Sequence, residues 1–329
     1  MIEIVKYKNN MNSEWDSFVE SSINGTIFHK RSFLSYHVDR NFNDASFIFK
    51  KRGQIISVFP AAIINDSGRN ILFSHPGASF GGLIVNNASF SEILEILDLI
   101  ESYCKKNGVE KIRIIPAPQI YQKKLDESVL YALHWKNYEI CEQYYSSVIP
   151  IKNNISEHLT LINKNKSRTK DYYSGLINSN NLIIDWNNSF DKFYPILEKN
   201  KKMHNSKPTH SLDELYKLHD LFPDQIKLVL IRQDKNVIGG SLLFAANQRV
   251  AIIFYNMIDY QFVNLQIASL QVIESIKWAY KNNYKFLDFG ISHQPDHINP
   301  LTPKMSLIKF KDEFGSIGSL RLVFDKDLV

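Results

Sequence analysis

The stretch from Val250 to Gly315 constrains the fold more than any other part of the chain. Ala251-Ile-Ile-Phe-Tyr255 is an almost wholly apolar run, the pattern of a short strand covered on both faces. Asn256 ends the run, and apolar residues then recur at Leu265, Ala268, Val272, Ile276 and Ala279. Steps of three and four put them on one side of a helix. Asn282-Asn283 closes that helix, and Lys285-Phe-Leu-Asp-Phe-Gly290 returns as a second strand. After a His/Pro-rich loop, Ile308-Lys-Phe-Lys-Asp-Glu-Phe-Gly315 reads as a basic-aromatic hairpin, followed by a last strand at Leu320–Phe324. A strand–helix–strand unit aims a helix N-terminus at the end of its first strand, where backbone N–H groups can hold phosphate.

The first half is organised in the same order. Ser13–Glu20 reads as a helix with Trp15 and Phe18 inward, and Thr26–His37 as a loop and short helix carrying His29, Lys30 and Arg31. A hairpin runs over 46–51 and 55–63, turning at Arg52-Gly53. A strand at Ile71–Phe73 leads into Ser74-His-Pro-Gly-Ala-Ser-Phe-Gly-Gly82. A one-faced helix, Ser91–Lys106, is stopped by Asn107-Gly108, and strands follow at Lys111–Ile115 and Tyr144–Ile151. In the second half, helical Asn154–Ser179 precedes a strand at Leu182–Trp186 and helices over about Phe190–Leu221. A hairpin of Lys227–Arg232 with Val237–Ala245 comes next. Each hairpin leads to a strand, a helix ending in Lys plus Asn, and another strand. The expectation is a duplicated unit of about 160 residues, with domains at 1–150 and 151–329.

A chain of 329 residues suffices for two such domains, and 44% hydrophobic with 22% charged residues is a globular composition. The net charge of +5 is spread along the sequence, which suits anionic small ligands better than a nucleic-acid surface. No apolar run reaches the roughly 18 residues of a membrane helix, and the N-terminus lacks a signal-peptide core. Cys104 and Cys141 stand apart, outside any metal or redox spacing, and read as reduced packing residues of a cytoplasmic protein. His293, Asp296 and His297 share a Pro-bearing loop without the helix spacing of a metal pair, so no metal is expected. Neither a Ser-His-Asp elbow nor a Gly-Lys-Ser/Thr phosphate loop occurs.

Three motifs carry a resemblance: Leu287-Asp-Phe-Gly290 after the core helix, Phe310-Lys-Asp-Glu-Phe-Gly315, and Ser74-His-Pro-Gly-Ala-Ser-Phe-Gly-Gly82. The repeated unit resembles the GNAT acyltransferase fold. Its tandem form resembles the Fem-type peptidyltransferases and the related amino-sugar N-acyltransferases. The Ser-His-x-Gly element is similar to that of nucleotide-sugar N-acyltransferases of O-antigen pathways, including hydroxybutyryltransferases acting on a dTDP-linked 3-amino-3,6-dideoxyhexose. The resemblance implies an α+β fold (an α/β sandwich) of two tandem GNAT-like domains, each a mixed central sheet flanked by helices. It further implies an acyl-CoA donor and a nucleotide-linked amino sugar as acceptor; the modest, spread charge and the lack of a long apolar run speak against a nucleic-acid partner and membrane insertion, and a homodimer is left open. One departure is plain. The usual glycine-rich pyrophosphate loop is replaced by Asp259-Tyr-Gln-Phe-Val-Asn-Leu-Gln-Ile-Ala-Ser269, which has no glycine.

Acyl transfer to an amine needs an aligned carbonyl, a neutral amine and stabilisation of the oxyanion, and alignment alone supplies of order 7–11 kcal/mol at best. His75 follows the first core strand and is a candidate to accept the amine proton, against the alternative of a satisfied histidine in a turn. Ser74, Ser79, Phe80 and Gly81 on the same loop are candidates for substrate binding. Asp288, between Leu287 and Phe289 on a buried strand, is either a proton acceptor or a structural partner, for instance of Lys311. By the resemblance, Lys311 faces the cleft between the domains and meets phosphate or the developing oxyanion. His210, on a loop that lines that cleft in the family, is a second acid/base candidate. Tyr255, Asn256 and Met257 lie where GNAT strands splay to admit the acyl arm; Asn264, Gln266 and Ser269 open the following helix and are candidates for pyrophosphate. Tyr255 and Phe289 also count as acceptor contacts, and Lys166 and Arg168 as charges near a nucleotide-sugar pyrophosphate, against the plainer reading of a solvated helix face. Two rivals stand beside this reading: a Fem-like aminoacyl-tRNA-dependent transferase building peptidoglycan bridges, and a non-catalytic nucleotide-sugar binder.

Overall fold

The computed structural model describes residues 1–37, 40–156, 159 and 170–328, with backbone alone at 170–172. The chain forms two compact units, one of Met1–Tyr144 with the segment from Leu320 onward, the other Tyr145–Ser319. The expected division at Pro150 thus differs from the observed one, and the last strand returns to the first unit instead of closing the second.

Unit 1 begins with β1 (Glu3–Lys6), α1 (Asn12–Ser21), α2 (Arg31–Leu34), β2 (Asn43–Asp44), β3 (Phe47–Lys51) and β4 (Gln54–Phe59). It continues through β5 (Ala62–Asp66), β6 (Arg69–Phe73), β7 (Ile84–Val85), α3 (Phe90–Lys106), β8 (Lys111–Ile114), α4 (Ser128–Trp135) and the start of β9 (Glu139–Pro150). The sequence suggests one strand over 55–63; the structure breaks it at Pro60, which has no N–H to give to a ladder. As a result β4 pairs in the order β1-β3-β4-β7, while β5 joins a different sheet with β2 and β6. There β6 runs parallel to β8, with α3 as the crossover, and β8 pairs antiparallel with β15 (Ile317–Asp327). A capping box starts α3, with Ser89 accepting from the Glu92 N–H and Glu92 from the Ser89 N–H. Ile93, Ile96, Leu97 and Ile100 are buried against the sheet core, each contributing about 1.5–3 kcal/mol.

Unit 2 holds the end of β9, then α5 (Lys170–Ser179), β10 (Leu182–Trp186), α6 (Phe190–Met203), α7 (Leu212–Leu221), β11 (Ile226–Gln233) and β12 (Asn236–Ala245). Next come β13 (Val250–Ile258), α8 (Ile267–Lys281), β14 (Phe286–Ile291) and α9 (Met305–Asp312). Its strands are ordered β10-β11-β12-β13-β14-β9, antiparallel except for the parallel pair β13–β14, which α8 bridges. Both units therefore carry a hairpin and a parallel pair spanned by one helix, the order that recurs in the sequence. The basic-aromatic segment is a correction: it forms helix α9 and not a hairpin. Ile308 and Lys311, three residues apart, are both buried, while Phe310 and Phe314 pack together at 5.2 Å. Spacings of three and four decide for a helix over the alternation a hairpin needs.

Candidate active site

Two glycines let helices close on both faces of one strand. A Cβ at Gly239 would meet Gln271 Nε2 of α8 at 2.3 Å and Ile267 Cγ2 at 2.6 Å; one at Gly240 would meet Phe193 of α6 at 2.8 Å. The neighbouring strand, β13, carries a bulge: Leu242 pairs with Tyr255 but Leu243 with Ile253, so Phe254 is the extra residue. The bulge breaks the alternation of side chains. Ala251 and Ile253 join the core under α8, whereas Phe254 stacks on Phe244 at 4.7 Å and Tyr255 meets Phe193 on the α6 side.

His210 is the centre of that second cluster. It is 2% exposed, with its ring 5.0 Å from Phe254 and 5.8 Å from Phe244, and its Nδ1 lies 3.1 Å from the Tyr255 hydroxyl. The Thr209 amide donates to the same hydroxyl at 3.0 Å, and the Tyr194 hydroxyl donates to the His210 carbonyl at 3.3 Å. Burial raises the Tyr255 pKa and lowers that of Lys201, whose ammonium is 5.6 Å from the Tyr255 ring centre. The structure thus joins two residues singled out separately in the sequence and adds Thr209, Tyr194 and Lys201, which no local pattern distinguished.

The strands beside this cluster part. β13 and β14 pair in parallel at Val250↔Phe286, Ala251↔Leu287 and Ile252↔Asp288, and pairing stops there although β13 runs on to Ile258 and β14 to Ile291. At the parting, Lys311 Nζ donates to the carbonyls of Phe289 (3.0 Å), Gly290 (2.9 Å) and Ile291 (3.2 Å). An ammonium carries three donors, and the backbone wraps around it through Gly290 at φ 71°, a conformation that favours glycine. Lys311 is only 4% exposed. Asp288 is fully buried, and its Oδ1 accepts from Ser146 Oγ and from the Gly290 N–H, both at 2.7 Å. Leu287 and Phe289 point into the core under α8, so the intervening Asp288 points to the opposite face, the side of Tyr255 and His210. Ser146 was missed in the sequence, where the signal was Ser146-Ser147 within a strand ending in Val-Ile. The hydroxyls of Ser147 and Ser292 are buried without a hydrogen-bond partner among the described residues.

At the C-terminal end of β13 the glycine-free loop forms a 3-10 turn, Tyr260–Leu265, and Gln266 supplies the left-handed residue (φ 53°) that starts α8. No side chain caps α8; the Ser269 N–H donates to the Gln266 carbonyl at 3.0 Å, and the positive end of the helix dipole favours an anion at this terminus. Asn264 is exposed, Gln266 half-buried, and Ser269 buried in the first turn. Asn256 is committed to structure: its Oδ1 accepts from Ser241 Oγ at 2.7 Å and its Nδ2 reaches the Ala268 carbonyl at 3.4 Å. The Met257 carbonyl accepts from Gln271 Nε2 at 3.0 Å. The ring of Phe289 is core, 5.9 Å from Phe314. His293 accepts the Tyr145 N–H at Nε2 and bonds the Leu301 carbonyl through Nδ1, a strap between strand and loop.

The remaining candidates lie in unit 1. Ser74 leaves β6, its Oγ accepting from the Ile115 N–H at 2.8 Å. Gly81 passes so close behind it that a Cβ would stand 2.1 Å from the Ser74 carbonyl oxygen. His75 is 2% exposed against Phe42, and its Nδ1 accepts the Gly77 N–H at 3.3 Å. Burial, then the charge of Arg31, lowers its pKa to about 4, which keeps the ring neutral. Ser79 is half-buried. Phe80 belongs to the core, 4.9 Å from Tyr121 and beneath the Arg321 guanidinium. Lys166 and Arg168 lie outside the described residues.

No protein-family model matches the chain, and no curated protein matches it. Solved structures do. The crystal structure of FemX is similar over 99% of this chain and 97% of its own, with a TM-score of 0.72 at 13% identity. The C-terminal domain of a putative lysylphosphatidylglycerol synthetase from Agrobacterium fabrum matches at TM-score 0.61 and 8% identity over 97% and 93%. A tandem GNAT protein from the clavulanic acid biosynthesis pathway matches at TM-score 0.54 and 6% identity over 100% and 99%. The fold is therefore α+β, with two tandem GNAT-like units, each a mixed sheet flanked by helices.

Proposed function

We propose that this chain is an N-acyltransferase that moves an acyl group from acyl-CoA to the amine of a nucleotide-linked deoxy amino sugar. The observation that carries this reading is the parting of β13 and β14 beyond Ile252↔Asp288, next to the uncapped N-terminus of α8. Past that point β13 has backbone groups on the β14 side that no ladder uses, and an extended amide-bearing arm pairs with such an edge as a strand would. The N–H groups at α8 suit the phosphates of the same donor, with Gln266 making the turn that glycine makes elsewhere.

In the reaction the amine nitrogen attacks the thioester carbonyl, a C–N bond forms, the C–S bond breaks, and CoA leaves as a thiolate that gains a proton. The amine must shed one. The buried His210–Tyr255 pair and Asp288 stand on the sheet face beside the parting strands and offer the acceptor. Lys311 contributes mainly by holding the carbonyls of 289–291 away from β13, which keeps the parting open. The dTDP-linked 3-amino-3,6-dideoxyhexose as acceptor, and a place in O-antigen or capsule synthesis, rest on the Ser74–Gly82 resemblance. We place the reaction in the cytoplasm, where both substrates are made.

The test is a thiol-release assay with acetyl-, hydroxybutyryl- and longer acyl-CoAs against dTDP- and UDP-linked amino sugars. Amine-dependent release with one pair, lost in Tyr255→Phe or Asp288→Asn, supports the proposal. No release with any pair, while an aminoacyl-tRNA serves as donor, replaces the donor. Sugar-nucleotide binding with no transfer from either donor makes the chain a binder.

A further inference from the structure

A pocket lies at the far end of α8, about 18 Å along the helix from Gln266 at 1.5 Å per residue. It encloses about 510 Å³ between the end of β10, the start of β11 and the last turns of α8. That volume falls within the range of small-molecule sites, roughly 300–1,000 Å³. Its wall is aromatic. The Trp186 and Trp278 rings stack at 5.8 Å with planes 23° apart, and Tyr284 stacks on Trp278 at 5.0 Å. Trp278 is fixed between its neighbours, but Trp186 ends an edge strand and is 38% exposed.

The rim is polar and carries a net positive charge. Lys227, Lys277 and Lys281 line the pocket with one carboxylate, Glu274. Lys277 is paired with Glu274 at 2.6 Å, and Lys227 donates to the Pro223 carbonyl at 2.9 Å. Lys281 and the side-chain amide of Asn188 have no protein partner among the described residues. Asn282 spends its Nδ2 on the Trp278 carbonyl at 2.8 Å, which leaves its oxygen as an acceptor. The pocket thus joins an apolar plate, amide donors and acceptors, a carboxylate that accepts from hydroxyls, and an uncommitted cation.

We infer that this pocket binds a sugar ring bearing one anionic group, a glycosyl phosphate or a uronate, packed on Trp186 with its anion at Lys281. A pyranose offers C–H groups to an indole face and hydroxyls to Asn188, Asn282 and Glu274. A planar base would also stack, but Glu274 and Lys277 form a polar edge suited to hydroxyls more than to a heteroaromatic ring. The site depends on neither the acyl donor nor the transfer reaction, so it stands or falls apart from the proposed activity.

The experiment titrates the full-length protein with glucose 1-phosphate, glucuronate, glucose, inorganic phosphate and UMP at low salt, by calorimetry and tryptophan fluorescence. Glucose 1-phosphate or glucuronate should bind at least about tenfold tighter than glucose, and which of them leads tells phosphate from carboxylate. Lys281→Gln should remove that tenfold and leave glucose unchanged; Trp186→Ala should abolish both, and Trp186→Phe should weaken binding without abolishing it. Lys281 is exposed, so its variant keeps the test open should Trp186→Ala lower stability. Equal binding of glucose and the anions overturns the proposal, as does inorganic phosphate binding as well as glucose 1-phosphate. Equally contrary results are UMP binding tighter than the sugars in a Trp186-dependent way, and binding that neither variant alters.

Discussion

Lowering the pH from 7.5 to 5 should loosen unit 1 through two buried histidines. His29 is fully buried: its Nδ1 accepts the Thr26 N–H at 3.0 Å and its Nε2 faces the Gly81 carbonyl at 3.0 Å. Nε2 therefore holds the proton, and a second proton at Nδ1 would confront an N–H. Burial lowers its pKa to about 4, and burial with the Arg31 charge does the same at His75. Both folded values lie below the unfolded value of 6.5, so the unfolded chain takes up protons first. The stabilisation is complete above pH 6.5 and is lost as pH falls toward 4. Between pH 7.5 and 5 the linkage relation gives a loss of about 2 kcal/mol per histidine, about 4 kcal/mol together. Carboxylates contribute little in this window, since their unfolded pKa values lie near 4. Hydrogen exchange over residues 26–34 and 71–85, corrected for the intrinsic rate, should show protection falling about a thousandfold. His75→Gln should retain only the share due to His29. Protection unchanged between pH 7.5 and 5 would refute the reasoning, because it would mean that neither ring is held neutral by burial.

Other substitutions probe the remaining contacts. Lys311→Met strips a cation from three carbonyls in a buried setting and should cost about 3–5 kcal/mol in urea unfolding; an unchanged midpoint with lost turnover would make Lys311 a group that meets substrate instead of a brace. Gly81→Ala drives a Cβ into the Ser74 carbonyl at 2.1 Å, and because backbone must give way the loss should exceed about 3 kcal/mol by thermal melting. Tyr255→Phe removes the hydroxyl that meets the Thr209 amide and His210 Nδ1, which should cost about 1–3 kcal/mol, and should lower turnover roughly a hundredfold at little changed KM. Equal turnover in the Phe variant would remove the hydroxyl from the chemistry.

Much of the architecture is legible in the amino-acid sequence. The apolar run at Ala251–Tyr255, the periodic residues of α8, the Asn107-Gly108 stop after α3 and the paired hairpins are local signals, because backbone hydrogen bonding and side-chain period are set by near neighbours. Two local signals competed and were misread. Pro60 sits in an otherwise strand-like run, and its lost N–H sends β4 and β5 to different sheets. In the α9 segment the alternation of Phe310 and Lys311 suggests a hairpin, but the three-residue step from Ile308 to Lys311 is what burial follows.

By itself the sequence determined most of the helices and strands, the two hairpins and the chemical types available near the strand ends. Tertiary structure alone decided which of those types meet. That Phe254 is an extra residue turning Tyr255 toward His210, that Ser146 holds Asp288, and that Lys311 is consumed by the carbonyls of β14 all follow from strand register and helix packing. A register is fixed by the summed burial of many residues far apart in sequence, and no single residue's surroundings record it.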